Sequence, residues 1–133
     1  MTPYLLDTTH AIAIWRHHPA LLARVAAAPP DAVLHLCVPC VGELWYRIFS
    51  TPAASENERT FHAFLAKYQI VEYSAEAAVE FGLVKLALQK IRRPIADVDA
   101  QIAAIARAKD MTILSGEQHF TAIGRLKVEN WLS

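Results

Sequence analysis

Four short apolar runs punctuate the chain: Tyr4-Leu5-Leu6, Val33-Leu34-His35-Leu36-Cys37-Val38, Ile70-Val71 and Thr112-Ile113-Leu114. None alternates apolar with polar residues. An unbroken apolar run of strand length fits a strand covered on both faces, as in a parallel sheet. Between the runs the pattern turns helical. Segments 10–16 and 20–28 are rich in Ala, Leu and Ile, and segment 41–50 follows Pro39 and carries Trp45, Tyr46 and Phe49. Segment 56–68 starts after Ser55 with Glu58 three positions on, a capping-box pattern. Segments 75–91 and 98–109 follow Ser74 and Asp97, residue types that cap helices. In the last of these, Ile102, Ala103, Ile105 and Ala106 recur at helical spacing. Strands alternating with helices predict an α/β fold: a three-layer α/β/α sandwich with a central parallel sheet of four or five strands. No repeat or linker divides the sequence, so residues 1–133 are expected to form a single domain.

Composition narrows the functions open to such a fold. Lys plus Arg and Asp plus Glu each number 13, for a formal charge of zero. That excludes the basic field of a histone-like binder, so any nucleic-acid contact must use a local patch. The densest basic run is Lys90, Arg92 and Arg93, just before Pro94. It reads either as a solvated helix end or as a patch that positions phosphates. Hydrophobic residues are 54% of the chain and charged ones 20%, which excludes a disordered chain and leaves more apolar surface than one small core can hide. A partner or a homodimer is therefore expected, with Trp15, Trp45, Tyr46 and Phe49 as either core or interface anchors. No stretch approaches the roughly 18 apolar residues of a membrane span, and the start lacks the basic region of a signal peptide. With only two cysteines, the expected location is cytoplasmic, without structural disulfides.

In open parallel sheets ligands bind beyond the carboxyl ends of the strands, so the residues just after each apolar run matter most. Asp7 ends the first run, Glu43 lies about a helical turn past the second, and Ser115 and Glu117 follow the fourth. Asp99 falls in the first turn of segment 98–109, with Asp97 assigned to its cap. Each acid alone has a plainer role: Asp7 as an N-cap, Glu43 and Asp99 as first-turn acids, Glu117 as a solvated loop acid. Together they bring four carboxylates toward one rim. Two like charges at about 4 Å cost about 4 kcal/mol at an effective dielectric of about 20. Either some acids hold a proton or a cation neutralises them. An all-oxygen site suits Mg²⁺ or Mn²⁺ rather than zinc and is equipped for phosphodiester hydrolysis.

Four segments then carry a resemblance: Leu5-Leu6-Asp7-Thr8-Thr9, Val38-Pro39-Cys40-Val41-Gly42-Glu43-Leu44-Trp45-Tyr46, Asp99-Ala100-Gln101-Ile102-Ala103-Ala104-Ile105-Ala106, and Ile113-Leu114-Ser115-Gly116-Glu117-Gln118-His119-Phe120. Their order and spacing resemble the PIN-domain ribonucleases, especially the VapC-type toxins of bacterial toxin–antitoxin pairs. The closing Gly124–Trp131 stretch is similar to the family's last strand. The resemblance implies a Mg²⁺-dependent endoribonuclease that hydrolyses RNA by metal-activated water. It also implies a cognate antitoxin and a homodimer. By the same resemblance, Asp7, Glu43, Asp99 and Glu117 would hold the metal, Ser115 would fix the cluster and Thr8 would meet the substrate, while Arg92 and Arg93 of the basic run would position its phosphates. The fourth acid departs from the family's pattern, because Glu117 stands in a Ser-x-Glu setting where Thr-x-Asp is usual. Arg47 stands where the family often has Gly.

Two other readings compete. Cys37-Val38-Pro39-Cys40 is a C-x-x-C between a strand and a helix, the setting of a thiol–disulfide oxidoreductase. A PIN-fold module that only binds protein is the third reading. Zinc is disfavoured, since the six His form no H-x₃₋₅-H pair downstream.

Overall fold

The computed structural model describes residues 1–133. Its five strands are β1 (Thr2–Leu6), β2 (Ala32–Cys37), β3 (Gln69–Val71), β4 (Thr112–Leu114) and β5 (Lys127–Glu129). Six helices link them: α1 (Thr8–Trp15), α2 (Pro19–Ala26), α3 (Val38–Phe49), α4 (Ala54–Leu65), α5 (Ala75–Lys90) and α6 (Asp97–Lys109), with a 3₁₀ turn at Gln118–Ala122. All four strand pairs are parallel, in the order β3-β2-β1-β4-β5. The expected α/β fold is found, with five strands rather than four.

The order of strands decides where a site can form. The chain lays β2 and β3 on one side of β1, then crosses back to lay β4 and β5 on the other. The reversal falls between β1 and β4, and a crevice opens beyond the carboxyl ends of strands at such a switch point. The two ends are pinned together there, since the Asp7 amide donates to the Leu114 carbonyl at 3.1 Å. The two central strands end in fully buried residues, Leu5-Leu6 and Ile113-Leu114, as expected of a sheet covered on both faces.

Helix ends show where local patterns hold. Ser74 caps α5, its Oγ accepting the Ala77 N–H at 3.2 Å. Asp97 does not cap α6: the helix starts at Asp97 after Ala96, and the Asp97 carboxylate instead accepts from Lys85 Nζ at 2.7 Å. The Ser55 capping box also fails, because α4 starts earlier, after Ala53, and puts Ser55 inside the helix. On α6, Ala100, Ala103, Ala104 and Ala106 are buried, and these small side chains let the neighbouring helices α5 and α3 approach closely. No helix is long and apolar enough to cross a membrane.

Candidate active site

Each proposed acid reaches the sheet's carboxyl rim by a separate route. Asp7 is the first residue after β1 and the N-cap of α1. It therefore fills the plainer role as well as the rim position. Its Oδ1 accepts the His10 backbone N–H at 2.8 Å and lies 3.0 Å from His10 Nδ1, while Oδ2 has no protein partner. Glu43 sits on α3, which leaves the rim directly after β2, and is half-buried. Asp99 lies in the first turn of α6. That helix runs back to the start of β4, so its N-terminus lies at the same rim. Ser115 follows β4, is buried, and accepts the Glu117 N–H on its Oγ at 2.9 Å. Glu117 caps the 3₁₀ turn, its Oε1 accepting the His119 N–H at 3.0 Å.

Electrostatics shows that the acids meet. The Asp99 carboxyl is pushed up from its ordinary 3.8 to about 6, first by burial and then by the negative charges of Asp7, Glu117 and Glu43. Acids from three separate segments thus act on the Asp99 carboxyl. None of the charges acting on Asp99 is positive. Of the basic side chains near the acids, Arg47 lies 3.9 Å from Glu43 one helical turn away and is exposed, so it is a weak tether, and His119 Nδ1 lies 3.6 Å from Glu117 Oε1. No three of these side chains, or of any His or Cys, converge into a ready-made metal cage. The acids therefore share one field without forming a closed ligand set. An open set of carboxylate oxygens suits a hard divalent cation that keeps some of its own waters.

The remaining expected positions fall differently. Thr8 is buried and its hydroxyl is directed to Cys40 Sγ at 3.7 Å, so it faces the protein interior rather than the rim. Arg92 and Arg93 are exposed in the turn between α5 and α6, with Arg92 in the left-handed region at φ 58° where α5 ends. Neither acts on Asp99.

The C-x-x-C reading is overturned. Cys37 and Cys40 are free and fully buried. Burial pushes the Cys37 thiol up to about 11 and the Cys40 thiol up to about 12, where the neighbouring Cys37 adds to the effect. A redox cysteine needs an accessible thiol of lowered pKa, and these are the reverse. Both pack as small apolar groups in the core.

Sequence reasoning gives no role to His10. Its ring is fully buried, between Asp7 on one side and the backbone N–H of Trp131, 3.1 Å from Nε2, on the other. The one local signal is its place three residues after a capping Asp.

The five-stranded parallel sheet, with acids near its switch point, is an α/β/α sandwich of the doubly wound kind. The chain belongs to the PIN domain family, whose model matches residues 4–126. Among similar proteins, Ribonuclease VapC2 of Haemophilus influenzae is 29% identical over 99% of this chain and 100% of its own length. The tRNA(fMet)-specific endonuclease VapC of Shigella flexneri is 25% identical over 98% and 99%. The same fold is found in VapBC2 of Rickettsia felis bound to a promoter DNA fragment, with a TM-score of 0.89 at 21% identity over 98% of this chain and 99% of that one. It is found again in VapBC-1 of nontypeable Haemophilus influenzae, with a TM-score of 0.88 at 21% identity over 99% and 100%.

Proposed function

We propose that this PIN-domain protein is a divalent-metal-dependent endoribonuclease and the toxin of a toxin–antitoxin pair. The observation that carries the reading is the placement of Asp7, Glu43, Asp99 and Glu117 around the switch point of the sheet, where burial and then the charges of the other three acids push the Asp99 carboxyl up. Full-length similarity to proteins named as VapC ribonucleases supports the reaction class.

Asp7 and Asp99, with Glu43 and Glu117 around them, are the residues that would hold Mg²⁺ or Mn²⁺. When bound, the ion supplies Lewis acidity for hydrolysis and offsets the charge that builds up on the phosphate. The chain's own residues do the rest. Asp99 sheds its proton near pH 6, so it is ionised and available above that pH. Asp7 is fixed by two hydrogen bonds to one oxygen, which leaves the other open. Ser115 holds the backbone of Glu117 in a turn, so that the fourth acid faces the cluster despite its extra methylene.

A cognate antitoxin fits the groove of about 740 Å³ that opens among α1, α3 and α4. Its floor includes Trp15, Leu44, Ile48 and Phe64, and its rim carries Arg16, Arg47 and Lys67. An acidic, apolar-faced helix would complement it. Arg47 joins this groove to Glu43, so an occupant would sit beside the acids. Tyr46 and Phe49 on α3, and Leu83 and Leu86 on α5, stay exposed in one copy and suit the expected homodimer.

The test is RNA cleavage by purified protein with Mg²⁺ and with chelator. Asp7→Asn and Asp99→Asn should each lower the rate by about 100-fold or more, the scale of losing a group that acts on transition-state charge. Cleavage that survives chelator, or both substitutions, overturns the proposal. A folded protein that binds its antitoxin but never cleaves RNA would instead identify the PIN-fold binding module.

A further inference from the structure

The neighbourhood of Asp7 holds one polar side chain that the cluster of acids does not explain. His10 is completely buried, on the same helix face as the core residues Ala11 and Ile14. An apolar residue would fill that space at less cost, because an imidazole taken out of water is costly unless both nitrogens are paired. Here both are. The Trp131 backbone N–H donates to Nε2 at 3.1 Å, so Nε2 carries no proton. The ring proton therefore sits on Nδ1, which donates to Asp7 Oδ1 at 3.0 Å. A backbone donor thus fixes the tautomer, and the tautomer fixes the bond to the carboxylate.

We propose that His10 is a positioning residue for the metal site: it locks the Asp7 carboxylate in one orientation, with Oδ2 left for the cation, and is itself aimed by the C-terminal segment. This rests on the reading of Asp7 as a metal ligand. Capping α1 needs only the backbone N–H of residue 10, which any amino acid supplies at 2.8 Å. The ring adds a second donor to the same oxygen, and so removes the carboxylate's freedom to rotate. Hydrogen-bond donors behind ligating carboxylates act in this way, and loss of such outer partners weakens metal binding by about 10–100-fold.

The far end of the lock is built to stay put. Trp131 is buried against Tyr4 of β1 at 4.9 Å between ring centroids, and its Nε1 donates to Glu129 Oε1 at 3.0 Å. The Glu129 carbonyl in turn accepts the Ser115 N–H at 2.9 Å. One stretch, residues 129–131, therefore ties together the positions after β1 and after β4, the two strands that flank the switch point.

Two substitutions divide the ring's bonds. In His10→Asn the amide nitrogen takes the place of Nδ1 and keeps the donor to Asp7, while the link to Trp131 is lost. In His10→Gln the longer amide reaches the Trp131 N–H and gives up Asp7. Mn²⁺ binding is read from the free-ion signal in electron paramagnetic resonance, and folding from circular dichroism. The expected result is that His10→Gln binds Mn²⁺ about 10–100-fold more weakly than the original protein, while His10→Asn, which keeps the donor to Asp7 but loses its aim from Trp131, is weakened clearly less. Equal affinities in the two variants, both kept or both lost, overturn the proposal. A measurement on the unaltered protein stands beside them in case neither variant folds. Nitrogen-15 spectra of labelled histidine should show Nδ1 protonated and Nε2 bare, with the His10 resonances moving when Mg²⁺ is added. A bare Nδ1, or resonances indifferent to Mg²⁺ that binds, also overturns it. If the unaltered protein binds neither ion, the metal site itself has failed, a result distinct from a failure of His10.

Discussion

Asp99 is the residue on which the acidic rim registers most clearly, and its behaviour with pH can be worked out. Its carboxyl titrates near 6 in the folded chain and at its ordinary 3.8 in the unfolded one. Between those values the folded form holds a proton that the unfolded form has released. Metal-free stability from this group is therefore complete below about pH 4 and lost as pH rises through 6. Asp99 is only half-buried, so solvent screens part of the effect. Asp99→Asn removes the charge altogether. In chelator at pH 7 it should melt at a higher temperature than the original protein, and the gap should close as pH falls toward 4. Metal follows the opposite course, because it needs the ionised carboxylate: Mn²⁺ affinity should drop as pH falls through 6. Paired melting curves and Mn²⁺ titrations across this window check both signs, and a variant that melts lower at pH 7 contradicts the repulsion on which the site is built.

At the scale of elements, the junction between β2 and α3 separates chemistry from packing. Cys37 ends the strand and Cys40 lies in the first turn of the helix, and the spacing looks like redox machinery until the burial of both thiols is known. Replacing both by Ala should leave chelator-sensitive RNA cleavage intact. It should cost on the order of 1–2 kcal/mol of stability, about 0.8 kcal/mol for each methylene-sized group removed. Loss of cleavage in a folded double variant would reopen a role for the thiols. The same contrast explains what the sequence makes legible. Unbroken apolar runs announce strands wherever both faces are covered, so β1, β2 and β4 can be read directly, and with them the positions of Asp7 and Ser115. Ser74 can be read as a cap because its bond is three residues long. Asp97 and Asp99 are two acids in one turn; the choice between them is made by the packing of α6, which buries its apolar face and leaves Asp97 exposed to pair with Lys85. Ser55 fails as a cap for a related reason. Asn57 donates to Thr51, and Thr51 to the Ile48 carbonyl, so contacts across the α3–α4 connection set where the helix begins. His10 is the extreme case, since the backbone group that fixes its tautomer is 121 residues away.

The whole molecule must bring a polyanion to a rim of carboxylates while carrying no net charge. Without a cation the rim repels RNA, so attraction has to come from elsewhere on the surface. Arg92 and Arg93, exposed in the turn that leads into the helix bearing Asp99, are the basic pair proposed for this. If both contact phosphates of a single strand, each should add about 0.7 to the slope of log affinity against log salt. Arg92→Ala with Arg93→Ala should then flatten that slope by about 1.4, twice the single contribution. Binding is best measured by fluorescence anisotropy in chelator, where cleavage does not intervene. Asp7→Asn provides the converse arm: it removes a repelling charge and should tighten RNA binding under the same conditions. A slope unchanged in the double Arg variant would mean that these residues only solvate the end of α5. The salt dependence measured without metal would then belong to other basic side chains, such as Arg16, Arg47 and Lys67 at the groove beside the acids.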